Sequence, residues 1–92
     1  MLNQITEEKI DRLAELLNAL ADPTRVRIIL GLTKPSSISS LGRHLQIGQS
    51  ALMFHINQMQ DNGLLSSENW NGEAYYSLSD VAVGKAVKLL VA

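Results

Sequence analysis

Residues 47–78 read IGQSALMFHINQMQDNGLLSSENWNGEAYYSL. In the first half, Leu52, Ile56 and Met59 recur at intervals of four and three, which lays one apolar stripe along a helix. Gly63 then breaks the pattern. In the second half the runs LLSSENW and EAYYSL are joined by Asn71-Gly72, two residues that both tolerate positive φ, the requirement of the tight hairpin turn that matches strand twist. A helix feeding a two-stranded ribbon is therefore predicted. The stretch contains no Lys or Arg, and between His44 and Gly84 the acids Asp61, Glu68, Glu73 and Asp80 have no basic counterpart.

Upstream, local chemistry marks three more helices. Thr6 can cap a first helix whose opening turn carries Glu7 and Glu8, favourable beside the positive end of the helix dipole, and whose apolar positions include Ile10, Leu13, Leu16, Leu17 and Leu20. That stripe is wider than one small core needs, and the excess predicts a subunit contact. Asp22-Pro23 opens a second helix: Asp accepts orphan amide hydrogens, and Pro at the first helical position loses no needed N–H. Val26, Ile29, Leu30 and Thr33 are expected to face inward. Lys34-Pro35-Ser36-Ser37 is read as a loop. A short third helix runs from Ser39 or Ser40 to Leu45, with Ser39 as its cap, so helices three and four form a helix-turn-helix over about 39–62. Downstream, Ser79 or Asp80 caps a last helix in which Val83, Val87 and Leu90 accompany Ala82, Ala86 and Leu89.

Composition bounds the possibilities. The chain has 92 residues, 46% hydrophobic but only 4% aromatic, with eight Lys and Arg against nine Asp and Glu. One mainly helical domain with a small hairpin, spanning 1–92, is expected. A net charge of -1 gives no global attraction to nucleic acid, so any binding needs a local patch. The absence of cysteine removes disulfides, thiolate metal ligands and thiol redox chemistry. No apolar run approaches the length of a membrane span and no leader-like segment is visible, so a cytoplasmic protein is expected. No paired carboxylates, activated nucleophile or phosphate-cradling glycine loop appears, and no enzyme is expected.

Four pieces of sequence in order, Leu20-Ala21-Asp22-Pro23-Thr24-Arg25, His55 in the fourth helix, Gly63-Leu64 after it and Tyr76-Ser77-Leu78 closing the ribbon, make the chain resemble the ArsR family of winged-helix transcriptional repressors over nearly its whole length. The resemblance implies a winged helix-turn-helix homodimer. Its interface would lie in about 5–20 and 80–92, through Ile10, Leu13, Leu17, Val83, Val87 and Leu90, with the wing at about 64–78. Two recognition helices would enter successive major grooves of a palindromic operator in double-stranded DNA. In many members an inducer, often a metal ion, binds the dimer and releases it from DNA. The family's Cys-x-Cys pair falls on Ser37 and Ser39 here, and beyond Asp80 the last helix has no Asp, Glu or His for the family's second site. Serine hydroxyls do not replace thiolates for soft metals, so neither a metal nor another cofactor is expected.

On the recognition helix, Gln49, Ser50, Asn57 and Gln58 can pair with base edges, Phe54 can meet a thymine methyl, and Met53 flanks them. Where family members commonly carry Ser and Arg, this chain has Met53 and Phe54. His55 has two readings: a cation between base and phosphate when protonated, or a partly buried, hydrogen-bonded side chain. Arg43 is the first candidate for a phosphate contact and Lys34 the second, while Arg25 also suits a structural bond near its helix start. Two contacts per subunit engage four phosphates in a dimer, a logarithmic salt slope of only about -3.6. Asn71 at the wing tip can enter a minor groove, although Glu68 and Glu73 flank it. Trp70 can pack across the strands on Tyr75 or face a partner. An alternative use of the domain is protein recognition, with Met53, Phe54 and Trp70 as the contact and weak or no DNA binding.

Overall fold

The computed structural model describes residues 4–92, so the first three residues of the expected 1–92 domain lie outside it. The chain forms α1 (Glu7–Ala19), α2 (Pro23–Gly31), β1 (Ser36–Ser37), α3 (Ile38–Leu45), α4 (Gln49–Asp61), β2 (Leu65–Trp70), β3 (Glu73–Leu78) and α5 (Val81–Val91). The helix starts follow their caps. The Thr6 hydroxyl accepts from the Lys9 amide at 3.2 Å, and the carboxylates of Asp22 and Asp80 accept from the amides of Thr24 and Ala82, each at 2.8 Å. For α3 the cap is Ser37, whose hydroxyl accepts from the Ser40 amide at 3.2 Å, and not Ser39. Ser37 has the extended backbone a cap requires, whereas Ser39 is already inside the helix. α4 closes with Gly63 at φ 75°, its amide bonding to Gln60 and that of Leu64 to Met59, the paired bonds that end a helix on a left-handed glycine.

The hairpin turn has Asn71 at φ 52° and Gly72 at φ 79°, both left-handed, as predicted. Its strands pair antiparallel with Leu65 opposite Leu78 and Trp70 opposite Glu73. Ser36 and Ser37, expected in a loop, instead form a third strand against Tyr76 and Tyr75, giving the order β1-β3-β2. The extended backbone leading into α3 lies beside the free edge of β3 and satisfies it.

Ile28, Ile29, Leu41, Leu52, Ile56 and Met59 are fully buried, with Leu64, Leu65 and Tyr76 closing the core from the wing side. Of the inward residues expected on α2, Ile29 is buried and Val26 and Leu30 are half-buried, but Thr33 is exposed because the helix has already ended. Ile28 and Leu32 take its place.

α1 and α5 carry most of the exposed apolar surface. Ile10, Leu13 and Leu17 on α1 face outward, and Leu90 on α5 is 84% exposed. Val83 is half-buried against the core, and Val87, grouped above with the subunit contact, is only 7% exposed and belongs to the protomer's own core. At about 100° per residue, Val83 and Val87 form one face of α5 and Ala82, Ala86, Leu89 and Leu90 another. The radius of gyration is 14.2 Å, against about 12 Å for a compact chain of this length. The surface of 6468 Å² exceeds by about 1200 Å² what a monomer of this mass typically exposes.

Candidate nucleic-acid interface

α3 and α4 are held at close quarters by their connection. Gln46 adopts a left-handed conformation at φ 57°, and the Ile47 amide returns to the Gly42 carbonyl at 3.0 Å. A Cβ at Gly42 would lie 3.1 Å from the Ile47 carbonyl oxygen, so the absence of a side chain permits this approach. With Leu52, Ile56 and Met59 buried, Gln49, Ser50, Phe54 and Asn57 are exposed on the outer side of α4. Phe54 is 58% exposed. Met53 is half-buried against the core at the flank of this surface. Arg43 does reach it, lining a shallow cleft with Ile47, Gly48 and Gln49 at the start of α4.

Two predicted reading residues are committed elsewhere. Arg25 donates through Nε to His55 Nδ1 at 3.2 Å, through one terminal nitrogen to the Ala19 carbonyl at 3.3 Å, and through the other to Gln58 Oε1. A single guanidinium thus ties α4 to α2 and to the end of α1. His55 is half-buried and accepts at Nδ1, which assigns its ring proton to Nε2. The structural reading of His55 is the one observed, though its partner is a side chain; Gln58, with its oxygen held by Arg25, turns away from the base-reading face. Phe54 stands edge-on to the His55 ring at 5.5 Å and 81°, which fixes its exposed orientation. Nearby, Asp22 titrates below its ordinary 3.8, first because the Thr24 amide donates to it, with the Arg25 amide and the Arg25 charge adding smaller contributions against the opposing cost of burial.

Lys34 lies apart from α4. It borders one cleft with Ser40, Leu41 and His44 and a second with Leu78, Lys85 and Lys88, and neither includes a residue of α4. On the wing, Asn71 is exposed at the tip. Trp70 meets Tyr75 edge-on at 6.4 Å across the diagonal of the ladder, yet remains 69% exposed. The register puts Glu68 and Glu73 on the same face as these two rings. Among the described residues no cluster of three or more His, Asp or Glu is disposed to hold a metal ion, and Ser37 is occupied as the α3 cap.

The Arg25 clamp was invisible to motif reading. Its one trace in the sequence is the spacing of His55 and Gln58, two polar side chains one turn apart beside the buried stripe.

A helix-turn-helix followed by a hairpin, with polar groups facing out from its second helix, defines a winged-helix transcriptional regulator. The chain belongs to the helix-turn-helix domain family, which it matches over residues 20–68. It is 28% identical over 88 residues to the transcriptional activator HlyU of Vibrio cholerae, covering 95% of this chain and 82% of that protein. Among solved structures it is similar to HlyU of Vibrio vulnificus, with 30% identity, coverage of 98% and 95% and a TM-score of 0.81. It is also similar to the transcriptional repressor PagR of Bacillus anthracis, with 28% identity, coverage of 92% and 99% and a TM-score of 0.85. No helix among the described residues is long and apolar enough to cross a membrane.

Proposed function

We propose that the protein is a cytoplasmic, homodimeric repressor that binds a palindromic operator without sensing metal and without catalysing a reaction. The observation that carries this reading is the neutral outer face of α4, where Gln49, Ser50, Phe54 and Asn57 stand exposed on a helix-turn-helix. Their amides and hydroxyl suit base edges, with Asn and Gln matched to adenine and the Phe54 ring to a thymine methyl. Arg43 supplies the phosphate contact beside α4, and Asn71 extends the wing toward the minor groove. Repression requires only occupancy of the site.

Dimerisation is supported by surface area. Burying the excess of about 1200 Å² on each of two protomers removes about 2400 Å², within the range of obligate homodimers. Ile10, Leu13, Leu17 and Leu90 supply its apolar part, and Val83 borders it. With Arg43 alone, the dimer touches two phosphates and the logarithmic salt slope falls to about -1.8.

The test is a selection of genomic fragments at low salt, followed by anisotropy titration of the enriched sequence. A two-fold symmetric site bound at submicromolar dimer with that shallow slope is expected. No sequence-selective complex at micromolar dimer refutes the reading. A second reading, docking to a protein, is favoured by one observation: Phe54 and Trp70 are both exposed, and Trp70 stands between carboxylates.

A further inference from the structure

We propose that the groove between the loop after α2 and the first turns of α5 binds an amphipathic anion, a carboxylate carried on a short alkyl chain. The groove has a volume of about 310 Å³, at the lower end of the range for small-molecule sites. Leu32, Leu78 and Val81 provide its apolar lining, and Lys34, Lys85 and Lys88 stand around them. Three of the chain's eight basic residues therefore meet at one place, and none of its nine acids lines it.

None of these three lysines is ion-paired within the described residues. Among the described residues the ion pair formed is Arg12 with Glu15, far along the chain on α1. An anion placed among three cations gains attraction from each of them. The apolar lining selects against a bare phosphate, which would keep its water, and favours a ligand that brings hydrocarbon with its charge.

The backbone makes the groove possible. Val81, Gly84, Lys85 and Lys88 fall on one face of α5 at helical spacing. A Cβ at Gly84 would lie 2.7 Å from a Leu78 methyl, so glycine lets α5 close against the end of β3 and form one wall. The exposed stripe of Ala82, Ala86, Leu89 and Leu90 lies on another side of the same helix, which leaves the groove open when that stripe is covered. Nothing in the site depends on DNA binding.

The experiment is calorimetric titration of the full chain with hexanoate, octanoate and decanoate below their micelle concentrations, mapped by amide chemical shifts. Saturable binding at one per protomer is expected, with affinity rising about fourfold per added methylene. Shifts should centre on Thr33, Lys34, Val81 and Lys85. The exposed pair Lys85→Gln/Lys88→Gln should weaken octanoate by about fivefold, with an unchanged circular dichroism spectrum, and Lys9→Gln should leave it unaltered. The proposal is overturned by the absence of saturation, by equal binding of octyltrimethylammonium or inorganic phosphate, or by undiminished affinity in the double variant.

Discussion

Replacing Arg25 by Met keeps the aliphatic stem and deletes the fork that joins α4 to the rest of the domain. Three hydrogen bonds disappear, to the Ala19 carbonyl, His55 Nδ1 and Gln58 Oε1. Fully buried bonds from a charged donor contribute about 1.5–3 kcal/mol each, but Arg25 is only half-buried and water can reach its abandoned partners, so about 0.7 kcal/mol apiece is the appropriate scale. The sum is about 2 kcal/mol, equivalent to a melting temperature lower by about 8–16 °C for a domain of this size. Urea denaturation followed by circular dichroism measures it, at one protomer concentration throughout because subunit association adds to apparent stability. Arg25→Lys separates charge from geometry: a lysine retains the attraction to Asp22 but cannot span three acceptors, and should recover less than half of the loss. A destabilisation below about 0.5 kcal/mol, or full recovery by Lys, refutes the claim that the forked geometry positions α4.

Leu13→Glu should shift the protein toward monomer in sedimentation, by placing a carboxylate in the apolar face of α1; an unaltered dimer would relocate the interface. Phe54→Arg adds one cation to each recognition helix, so the salt slope for DNA should steepen by about 1.8, whereas loss of a captured protein partner without any gain for DNA would favour the docking reading. Ser37→Ala removes the α3 cap from a buried site and should cost about 1 kcal/mol in urea denaturation. Because the folded-state titration of Asp22 lies below its ordinary 3.8, its stabilising contribution is complete above that value and is lost as pH falls through the lowered one. The stability difference between wild type and Asp22→Asn should thus be constant from neutral pH down to about 5 and shrink below about 4, and growth of the difference on acidification would reverse the sign of the argument.

What could be read from sequence was what short-range chemistry encodes. Asn71-Gly72 specifies its turn because both residues enter the left-handed region, and Asp22-Pro23 specifies a helix start because cap and first position are adjacent. β1 carried no such information: two serines have no periodicity, and their pairing with Tyr75 and Tyr76 is decided by a strand nearly forty residues away. The same distance problem hid the clamp, since Arg25 lies 30 and 33 residues before His55 and Gln58. On α5, Val81, Val83, Val87, Leu89, Leu90 and Val91 surround the helix with apolar side chains. A stripe cannot be assigned to core or partner when only the side bearing Lys85 and Lys88 is polar, and only the position of α2 and the sheet shows that Val87 faces inward.

A reading head without cations has a consequence for selectivity. Non-specific affinity for DNA comes almost wholly from phosphate neutralisation, so the proposed dimer, with Arg43 as the one cation beside each α4, should be held weakly by random sequence. Correct amide-to-base pairs still contribute about 1–3 kcal/mol each, because they replace water in the groove and do not depend on net charge. The ratio of specific to non-specific binding can therefore remain high although both affinities are low. On the proposed operator both half-sites would have to be engaged at once, since one copy of Gln49, Ser50, Phe54 and Asn57 brings no cation of its own to retain it alone. Occupancy then depends on the dimer equilibrium as steeply as on the operator sequence. On that reading the apolar faces of α1 and α5, remote from the bases, set occupancy through dimerisation.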